Sequence, residues 1–229
     1  TEEDKDVAIA FQGAADLGDN GGSGDFSTSY AVNASSTLLI VSVRGPTTSG
    51  AENVYTMTYN SVVCTKLITA TGTDIAARYQ YFYYLLNPST GSNTLSITQT
   101  GSGSSPYIIV GAADYSGVGA LDATGAPDHI SSTSLTSSLT TVADNSWVTM
   151  ISVCNGSGPP AAGSGATRRA FGVTFADWAI FDSNAPVSPA AAYSMTDTLG
   201  SANLIINMMA SFSPVSIPSA EILMGQAVM

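Results

Sequence analysis

The acidic loop near the N-terminus has the residue types of a cation site. The stretch DLGDNGGSGD places Asp16, Asp19, Asn20 and Asp25 in a glycine-rich segment. Hard oxygen ligands on a flexible backbone are what Ca²⁺ selects, although the spacing here departs from the EF-hand pattern. The alternative is plain turn chemistry, in which Asp and Asn side chains bond to their own backbone. The sequence leaves both open, and Ca²⁺ at these four residues is the only cofactor that it suggests.

A second group of residues has the composition of a sugar-binding surface. Asp177, Trp178 and Asp182 occur together in ADWAIFD, and Tyr193 lies in a later predicted strand. An aromatic ring offers an apolar face for stacking, and a neighbouring carboxylate can accept hydrogen bonds. Aspartates that bond within turns are common in β proteins and give the alternative explanation. These four residues are therefore our candidate carbohydrate contacts.

The sequence lacks a recognisable reaction centre. His129 is the only histidine, so a zinc site would miss its further ligands, and Asp128 beside it would point to the opposite face of a strand. Glycoside hydrolysis needs two carboxylates facing one cleft. The four glutamates lie in predicted loops or near the chain ends, at Glu2, Glu3, Glu52 and Glu221. We predict that the protein is not an enzyme and that His129 lies in a loop.

The charge of the chain restricts its partners. The 229 residues include 17 acidic and 6 basic side chains, for a net charge of −11. This charge opposes binding to nucleic acid or to an anionic membrane, and Arg168-Arg169 is the only adjacent basic pair. The sequence contains no run of 18 apolar residues, so it predicts no membrane-spanning segment. Only 10% of residues are charged, and the Ser and Thr that replace them suit packing against other proteins.

The two cysteines lie in apolar surroundings. Cys64 occurs in SVVCTKL and Cys154 in MISVCNG. A cysteine among apolar neighbours most often acts as a small buried hydrophobe, which is the interpretation we favour. A disulfide between two strands of a sandwich is the alternative, because sequence alone gives no distance between the two sulfurs.

The clearest structural signal runs from Arg78 to Val118. Aromatic and apolar residues alternate through YQYFYYLL, which is typical of a pleated strand with buried side chains. A turn is predicted at 87–91, because Pro88 lacks a backbone donor and Gly91 tolerates a positive φ. Strand alternation resumes at 94–98 and again in YIIVGAADYSGV. This segment therefore predicts three strands and the two turns between them.

The remaining segments extend this pattern. Residues 7–11 predict a first strand and 13–27 a long polar turn, and a hairpin bend is expected at Asn60-Ser61. Residues 119–130 read as a looser segment and 156–167 as a surface loop. Further strands are predicted at 28–32, 37–45, 54–71, 134–142 and 146–154, and in RRAFGVTF, WAIFDS, AYSMTDT and NLIINMMASFSPV.

About a dozen short strands without a helical crossover predict an all-β fold. We expect an antiparallel two-sheet jelly-roll β-sandwich in which one face of each strand is buried. Residues 1–229 are predicted to form a single domain. The apolar C-terminal tail, at about 214–229, has no obvious partner segment, so we expect it to pack on a neighbouring subunit.

Four segments in order resemble a recurrent β-sandwich family of phage and bacterial surface proteins. They are TLLIVSVRG, YTMTYNSVVCTKLITATGT, YFYYLLNPSTGSNTLSITQTGS and AADYSGVGALDATG. In that family an apolar strand precedes a V-T-Y-N-G-V hairpin, a Y-Y-L-x-N-P-x-x-G-x-x-T-V hairpin and a Y-S-G-V strand end. The similarity covers Thr37 to Gly125 and continues more weakly through NSWVTMISV and ATRRAF. Ser61 departs from the family pattern, which favours glycine at that turn.

The resemblance implies a jelly-roll or lectin-like sandwich that serves as a structural, adhesive or decorating module, with no catalytic residues to transfer. We therefore expect a non-enzymatic structural protein on a virion surface, such as a head decoration or fibre-like protein. Its expected partners are other virion subunits and further copies of itself in a homo-oligomer. The alternatives are an extracellular or cell-surface adhesin that binds a glycan, and a secreted filament or surface-layer subunit.

Overall fold

The computed structural model describes residues 5–22, 24–47, 55–72, 78–99, 107–156, 158–173 and 177–217. These residues contain no helix with the length and apolarity needed to span a membrane. They form 17 strands, which are β1 (Lys5–Val7), β2 (Ala10–Asp19), β3 (Phe26–Val32), β4 (Ser36–Thr47), β5 (Tyr55–Tyr59), β6 (Val62–Val63), β7 (Thr65–Gly72), β8 (Arg78–Leu86), β9 (Gly91–Gln99), β10 (Ile109–Ser116), β11 (Val118–Thr124), β12 (Asp128–Thr140), β13 (Trp147–Cys154), β14 (Ala161–Ala162), β15 (Thr167–Gly172), β16 (Trp178–Asp182) and β17 (Ala192–Ile217).

The strands form three sheets, and each pair of described strands is antiparallel. The five-stranded sheet has the order β2-β10-β4-β8-β7, and the four-stranded sheet has the order β3-β9-β5-β6. The eight-stranded sheet follows the path β1-β17-β13-β16-β15, with β11, β12 and β14 also paired to β17. The predicted all-β antiparallel class is confirmed. The sequence predicted two sheets and about a dozen strands, whereas the described residues form three sheets and 17 strands.

The five-stranded sheet lies between the other two and is buried on both faces. Neighbouring residues of a strand point to opposite faces, so β4 sends Leu38 and Ile40 to one side and Leu39 and Val41 to the other. The first pair packs in a core shared with the eight-stranded sheet, and the second pair packs in a core shared with the four-stranded sheet. Burial on both faces explains why β4 reads as a continuous apolar run rather than an alternating one.

A third apolar cluster covers the outer face of the eight-stranded sheet. Leu139 of β12 and Met195 of β17 pack against Val148 and Met150 of β13. One long strand contributes to both the sheet and the cluster that covers it. Strand β17 contains 26 residues, and its register with β12 shifts between Ser132 and Ser134. The sequence predicted two separate strands in the region that β17 covers. The structure joins them in one strand whose first half packs over the sheet formed by its second half.

Three further expectations about local structure were wrong. Residues 13–19 belong to β2 rather than to a polar turn, because they pair with β10. The segment 119–130 contains most of β11 and the start of β12, so His129 lies in a strand and not in a loop. The predicted loop at 156–167 contains β14, a two-residue strand that pairs with β17. In each case the strand is formed by long-range pairing that its own sequence pattern does not reveal.

The predicted turns are confirmed where the backbone needs a positive φ. Asn60 and Ser61 join β5 to β6 with φ of 48° and 64°. Two such residues are the signature of a type I′ hairpin turn, and asparagine is among the few residues that adopt this conformation readily. Gly91, with φ of 80°, begins β9 after the predicted turn at 87–91.

The cysteines and the C-terminal region have definite outcomes. Cys64 and Cys154 are buried in separate apolar clusters and are not joined, so the favoured interpretation is confirmed and the disulfide is wrong. The predicted tail began near residue 214, but β17 continues to Ile217 and pairs with β1. Residues 218–229, to which a contact with a neighbouring subunit was assigned, lie outside the described residues. The single-domain prediction stays a prediction.

Candidate functional site

The four predicted calcium ligands each accept backbone hydrogen bonds. Asp16 and Asp19 accept the N–H groups two residues further on, at 3.0 and 2.8 Å, as in Asx turns. Asn20 accepts the N–H of Ile108 at 2.9 Å, and Asp25 accepts the N–H of Gln99 at 3.0 Å. Asp16 therefore supports the register shift within β2, whereas Asp19, Asn20 and Asp25 close the turn between β2 and β3 and connect it to neighbouring segments.

These ligands are not brought together as a metal site. No group of three His, Cys, Asp or Glu side chains with a suitable arrangement occurs among the residues that the structure describes. Asp16 and Asp19 lie within β2, whereas Asp25 lies just before β3. The geometry thus supports the alternative of turn chemistry, and it gives the Ca²⁺ prediction no support.

Trp178, the proposed sugar-stacking ring, lies in the main core. Its side chain is 1% exposed. The ring fits between the backbones of β10 and β15, where a Cβ at Gly111 would lie 2.0 Å from Cη2 and one at Gly172 would lie 2.2 Å from Nε1. Glycine is needed at both positions because any side chain there would overlap the indole. Trp178 therefore joins the five-stranded and eight-stranded sheets and presents no face to a sugar.

The other three carbohydrate candidates also have structural contacts. Asp177 is buried and accepts the N–H of Gly158 at 2.8 Å. Asp182 is 0% exposed, so it cannot reach a ligand at the surface. Tyr193 is half-buried and donates its hydroxyl to the carbonyl of Gly165 at 2.8 Å. The predicted carbohydrate surface is therefore not assembled from these residues.

Asp182 instead forms a buried ion pair where two sheets meet. Arg169 of β15 donates from Nε to Asp182 Oδ2 at 2.6 Å, and Tyr115 of β10 donates its hydroxyl to the same oxygen at 3.2 Å. The Arg169 guanidinium carbon lies 4.4 Å from the ring centroid of Phe11 in β2, which suits a cation–π contact. Burial is the largest cause that raises the pKa of Tyr115, followed by the negative charge of Asp182. The phenol therefore stays neutral and remains a donor.

A second buried carboxylate, Asp114, was missed by sequence reasoning. It is 0% exposed and accepts hydrogen bonds from the hydroxyls of Tyr30 and Ser36, each at 2.5 Å. Asn33 donates to it from its backbone N–H at 3.1 Å and from its side-chain amide at 3.0 Å. The signal was an aspartate inside the apolar strand IIVGAADYSGV, since buried charges require partners.

Asp197, in the first half of β17, is a further buried carboxylate. It is 0% exposed and accepts the hydroxyl of Ser152 at 2.5 Å and the side-chain amide of Asn207 at 3.0 Å. Burial raises the pKa of Asp197, and the hydrogen bonds from Ser152 and Asn207 offset only part of this effect. Asp114, Asp182 and Asp197, like the buried Asp177, thus have partners within the fold.

A groove lies beside β1. It consists of two cavities of about 480 and 330 Å³ that share Asp6 and Pro214, and the smaller one is lined mainly by alanine, isoleucine and proline side chains. Asp6 accepts the side-chain amide of Asn145 at 2.8 Å and the hydroxyl of Ser216 at 2.9 Å. Asp144, which also lines the groove, accepts the N–H of Ala190 at 2.6 Å. These carboxylates hold together the turns around the groove.

The most distinctive surface is a two-stranded strip of hydroxyl side chains on β12 and β17, which we call the hydroxyl face. Thr136 pairs with Thr196 at 2.8 Å between their hydroxyl oxygens, and Ser138 pairs with Ser194 at 2.7 Å. Cross-strand hydroxyl pairs of this kind stabilise a sheet. The hydroxyl face consists of Thr136, Ser138, Thr140, Ser194, Thr196 and Thr198, all of them exposed or half-buried.

Comparison with known proteins adds no relative to this geometry, because no family model, curated protein or solved structure matches the chain.

Proposed function

We propose that the protein is a non-enzymatic virion structural protein, a head decoration or fibre-like module built on a jelly roll. In this proposal it belongs with the phage and bacterial surface sandwiches that its hairpin motifs resemble. Its partners are other virion subunits and further copies of the same chain, and its place is the virion surface.

The order of strands in the smaller two sheets carries this proposal. The chain crosses repeatedly between the two sheets, with β2, β4, β8 and β10 in one and β3, β5, β6 and β9 in the other; the successive strands β5 and β6 stay in one sheet. The orders β2-β10-β4-β8 and β3-β9-β5-β6 place the first and last strands of the series side by side. Eight strands wound in this way are typical of a jelly roll, a fold of viral capsid and lectin domains, and β7 would be an added edge strand.

The polar residues favour a structural role over catalysis. Asp114, Asp182 and Asp197 each have hydrogen-bond partners within the fold, and none of them is exposed to a substrate. The exposed polar surface includes the uncharged hydroxyl face, which another protein can cover without desolvating a charge. Both features suit a module whose task is to join surfaces.

The two alternatives have less support. A lectin-like adhesin would share the jelly roll, but the burial of Trp178 removes the ring on which sugar binding was predicted. A filament or surface-layer subunit would share the assembly surfaces and differ in where the protein is found. The location of the protein therefore separates the proposal from both alternatives.

Fractionation of the native source tests the proposal. Nuclease-protected particles are purified by density gradient, and antibodies raised against the full chain are used for immunoblotting and gold labelling in the electron microscope. We expect the protein in the particle band and gold on the particle surface. Protein confined to cell-envelope fractions or extended filaments would contradict the virion assignment, and glycan-dependent retention on cells would support the adhesin.

A further inference from the structure

Two asparagines of the chain directly precede a glycine, at Asn20-Gly21 and Asn155-Gly156. In such a pair the backbone nitrogen of the glycine can attack the side-chain amide carbon of the asparagine, because no Cβ on the second residue hinders the approach. The two pairs therefore have the same intrinsic chemistry in an unfolded chain. Any difference between their reactivities in the folded protein comes from the surrounding structure.

The fold engages both reacting groups of the first pair. Asn20 accepts hydrogen bonds at Oδ1 from the N–H groups of Ile108 and Gly22, at 2.9 and 3.2 Å. Gly21 donates its own N–H to the carboxylate of Asp19 at 2.8 Å. The side-chain amide is thus held by two donors, and the nucleophilic nitrogen is bonded to a carboxylate. These contacts must break before the two groups can react with each other.

The second pair lies in the turn that follows β13, and its reacting groups are not engaged. Among the residues that the structure describes, neither the Asn155 side-chain amide nor the Gly156 N–H forms a hydrogen bond. Asn155 is half-buried and Gly156 is exposed, so the pair is open to water. A Cβ added at Gly156 would meet no other atom within 4 Å, which shows that the space around this residue is open.

Neighbouring contacts hold this turn without using the reacting groups. Cys154 donates its N–H to the carbonyl of Asp177 at 2.8 Å, and Gly158 donates its N–H to the Asp177 carboxylate, also at 2.8 Å. Asn203 donates its side-chain amide to the backbone carbonyl of Asn155. The turn is therefore anchored on both sides of the pair, while the Asn155 side chain and the following N–H stay available for reaction.

We propose that Asn155 is a site of spontaneous deamidation in the folded protein, whereas the fold protects Asn20 from the same reaction. The Gly156 nitrogen forms a bond to Cγ of Asn155, and its proton leaves with the side-chain NH₂ group as ammonia. Water then hydrolyses either carbonyl of the resulting five-membered succinimide. The products are aspartate and isoaspartate, and water is the only co-reactant.

The reaction changes both the charge and the backbone of this turn. Either product adds a carboxylate to a chain whose net charge is already −11, in the same turn that the Asp177 carboxylate holds. Isoaspartate also routes the backbone through Cβ and Cγ, so the carbonyl that Asn203 contacts becomes part of a side group. The connection between β13 and β14 therefore changes as the protein ages, whether or not the proposed function is correct.

The test is peptide mapping by mass spectrometry after the full chain has been incubated at mildly alkaline pH. Conversion at each asparagine is measured from the mass increase when OH replaces NH₂, and chromatography separates aspartate from isoaspartate. We expect Asn155 to convert about tenfold faster than Asn20 or more, because reaction at Asn20 first requires breaking a hydrogen bond to a carboxylate. The same chain unfolded in urea is the control, and there both pairs should convert at similar rates.

A variant tests why Asn20 is protected. Asp19→Ala removes the acceptor of the Gly21 N–H and should raise the rate at Asn20, while an unchanged rate at Asn155 shows that the variant is folded. Equal rates at the two pairs in the folded protein would overturn the proposal, as would an Asn155 that stays intact while the chain in urea converts. A rate at Asn20 that Asp19→Ala leaves unchanged would overturn the role assigned to Asp19.

Discussion

Asp114 and Asp182 are both fully buried carboxylates, yet the molecule accommodates them in different ways. Asp114, in the central sheet, accepts four hydrogen bonds from neutral groups of Tyr30, Asn33 and Ser36. Asp182, in the eight-stranded sheet, has a cation as its main partner, Arg169. The first arrangement relies on neutral donors alone, whereas the second adds a cation to the neutral donors Tyr115 and Asn184.

This difference corresponds to what each carboxylate connects. The donors to Asp114 come from the end of β3, the following turn and the start of β4, so Asp114 fixes one local connection against β10. Asp182 and Arg169 lie on neighbouring strands, and Tyr115 and Phe11 reach them from the five-stranded sheet. The ion pair therefore links two sheets, and its loss should affect the whole fold more strongly.

The largest expected effect is that of Arg169→Ala. It leaves Asp182 buried without its cation, and removing one member of a buried pair typically costs about 3–5 kcal/mol. The free energy of unfolding from urea titration measures the cost. Arg168→Ala is the matched control, because Arg168 is the adjacent arginine and donates to a backbone carbonyl instead of a carboxylate. Equal, small losses for both variants would show that the ion pair contributes little.

A double variant separates two effects of Arg169→Ala, the loss of the cation that pairs with Asp182 and the loss of side-chain packing. Arg169→Met with Asp182→Leu removes both charges and keeps apolar bulk near Phe11 and Tyr115. Replacing a buried pair by apolar side chains is often neutral or stabilising, so this variant should recover most of the stability lost in Arg169→Ala. A double variant less stable than the single one would mean that the ion pair itself contributes net stability.

A smaller effect is expected when Asp114 loses one of its four donors. Tyr30→Phe removes a hydrogen bond to a carboxylate and should cost about 1.5–3 kcal/mol. Tyr59→Phe is the matched control in the same core, because the Tyr59 hydroxyl donates to the carbonyls of Tyr30 and Gly91, which are neutral. Its cost should be about 0.5–1.5 kcal/mol. A reversed order of the two unfolding free energies would contradict the special role of Asp114.

The sequence predicted those elements whose pattern is local. The alternating aromatic residues of β8 and the Asn60-Ser61 turn needed only neighbouring residues, and both are confirmed. Strand β2 was missed because GAADLGD has no alternating apolar face; it becomes a strand through its pairing with β10. Local pattern thus predicted the fold class, while the number of sheets depends on pairings that only the folded chain reveals.

The candidate sites were harder to predict for the same reason. Trp178 looked available for a ligand because its partners, Gly111 and Gly172, lie on other strands. The donors to Asp114 come from about 80 residues earlier in the chain. An aspartate within an apolar strand signals that a partner exists, but it does not identify that partner.

The smallest expected effect concerns Asp197, which has two neutral donors where Asp114 has four. Burial raises its pKa above the ordinary 3.8, so this carboxyl binds its proton more tightly in the folded protein than in the unfolded chain. The stability that this group contributes is fully present below pH 3.8 and is lost as the pH rises through the folded-state pKa. Asn at this position is neutral throughout. As the pH rises, the unfolding free energy of Asp197→Asn should therefore increase relative to that of the unchanged protein.

Asp122 provides a control of opposite sign for this pH dependence. Burial opposes its ionisation, but hydrogen bonds from the Ser211 hydroxyl and the N–H groups of Val142 and Ala143 outweigh burial and lower its pKa. Its contribution to stability is present above pH 3.8 and is lost as the pH falls through the folded-state pKa. The unfolding free energy of Asp122→Asn should therefore decrease relative to that of the unchanged protein as the pH rises. Urea titrations of the three proteins between pH 3 and pH 8 measure both differences. Parallel pH profiles for the two variants would show that hydrogen-bond donors and burial do not shift the two carboxyl pKa values in opposite directions.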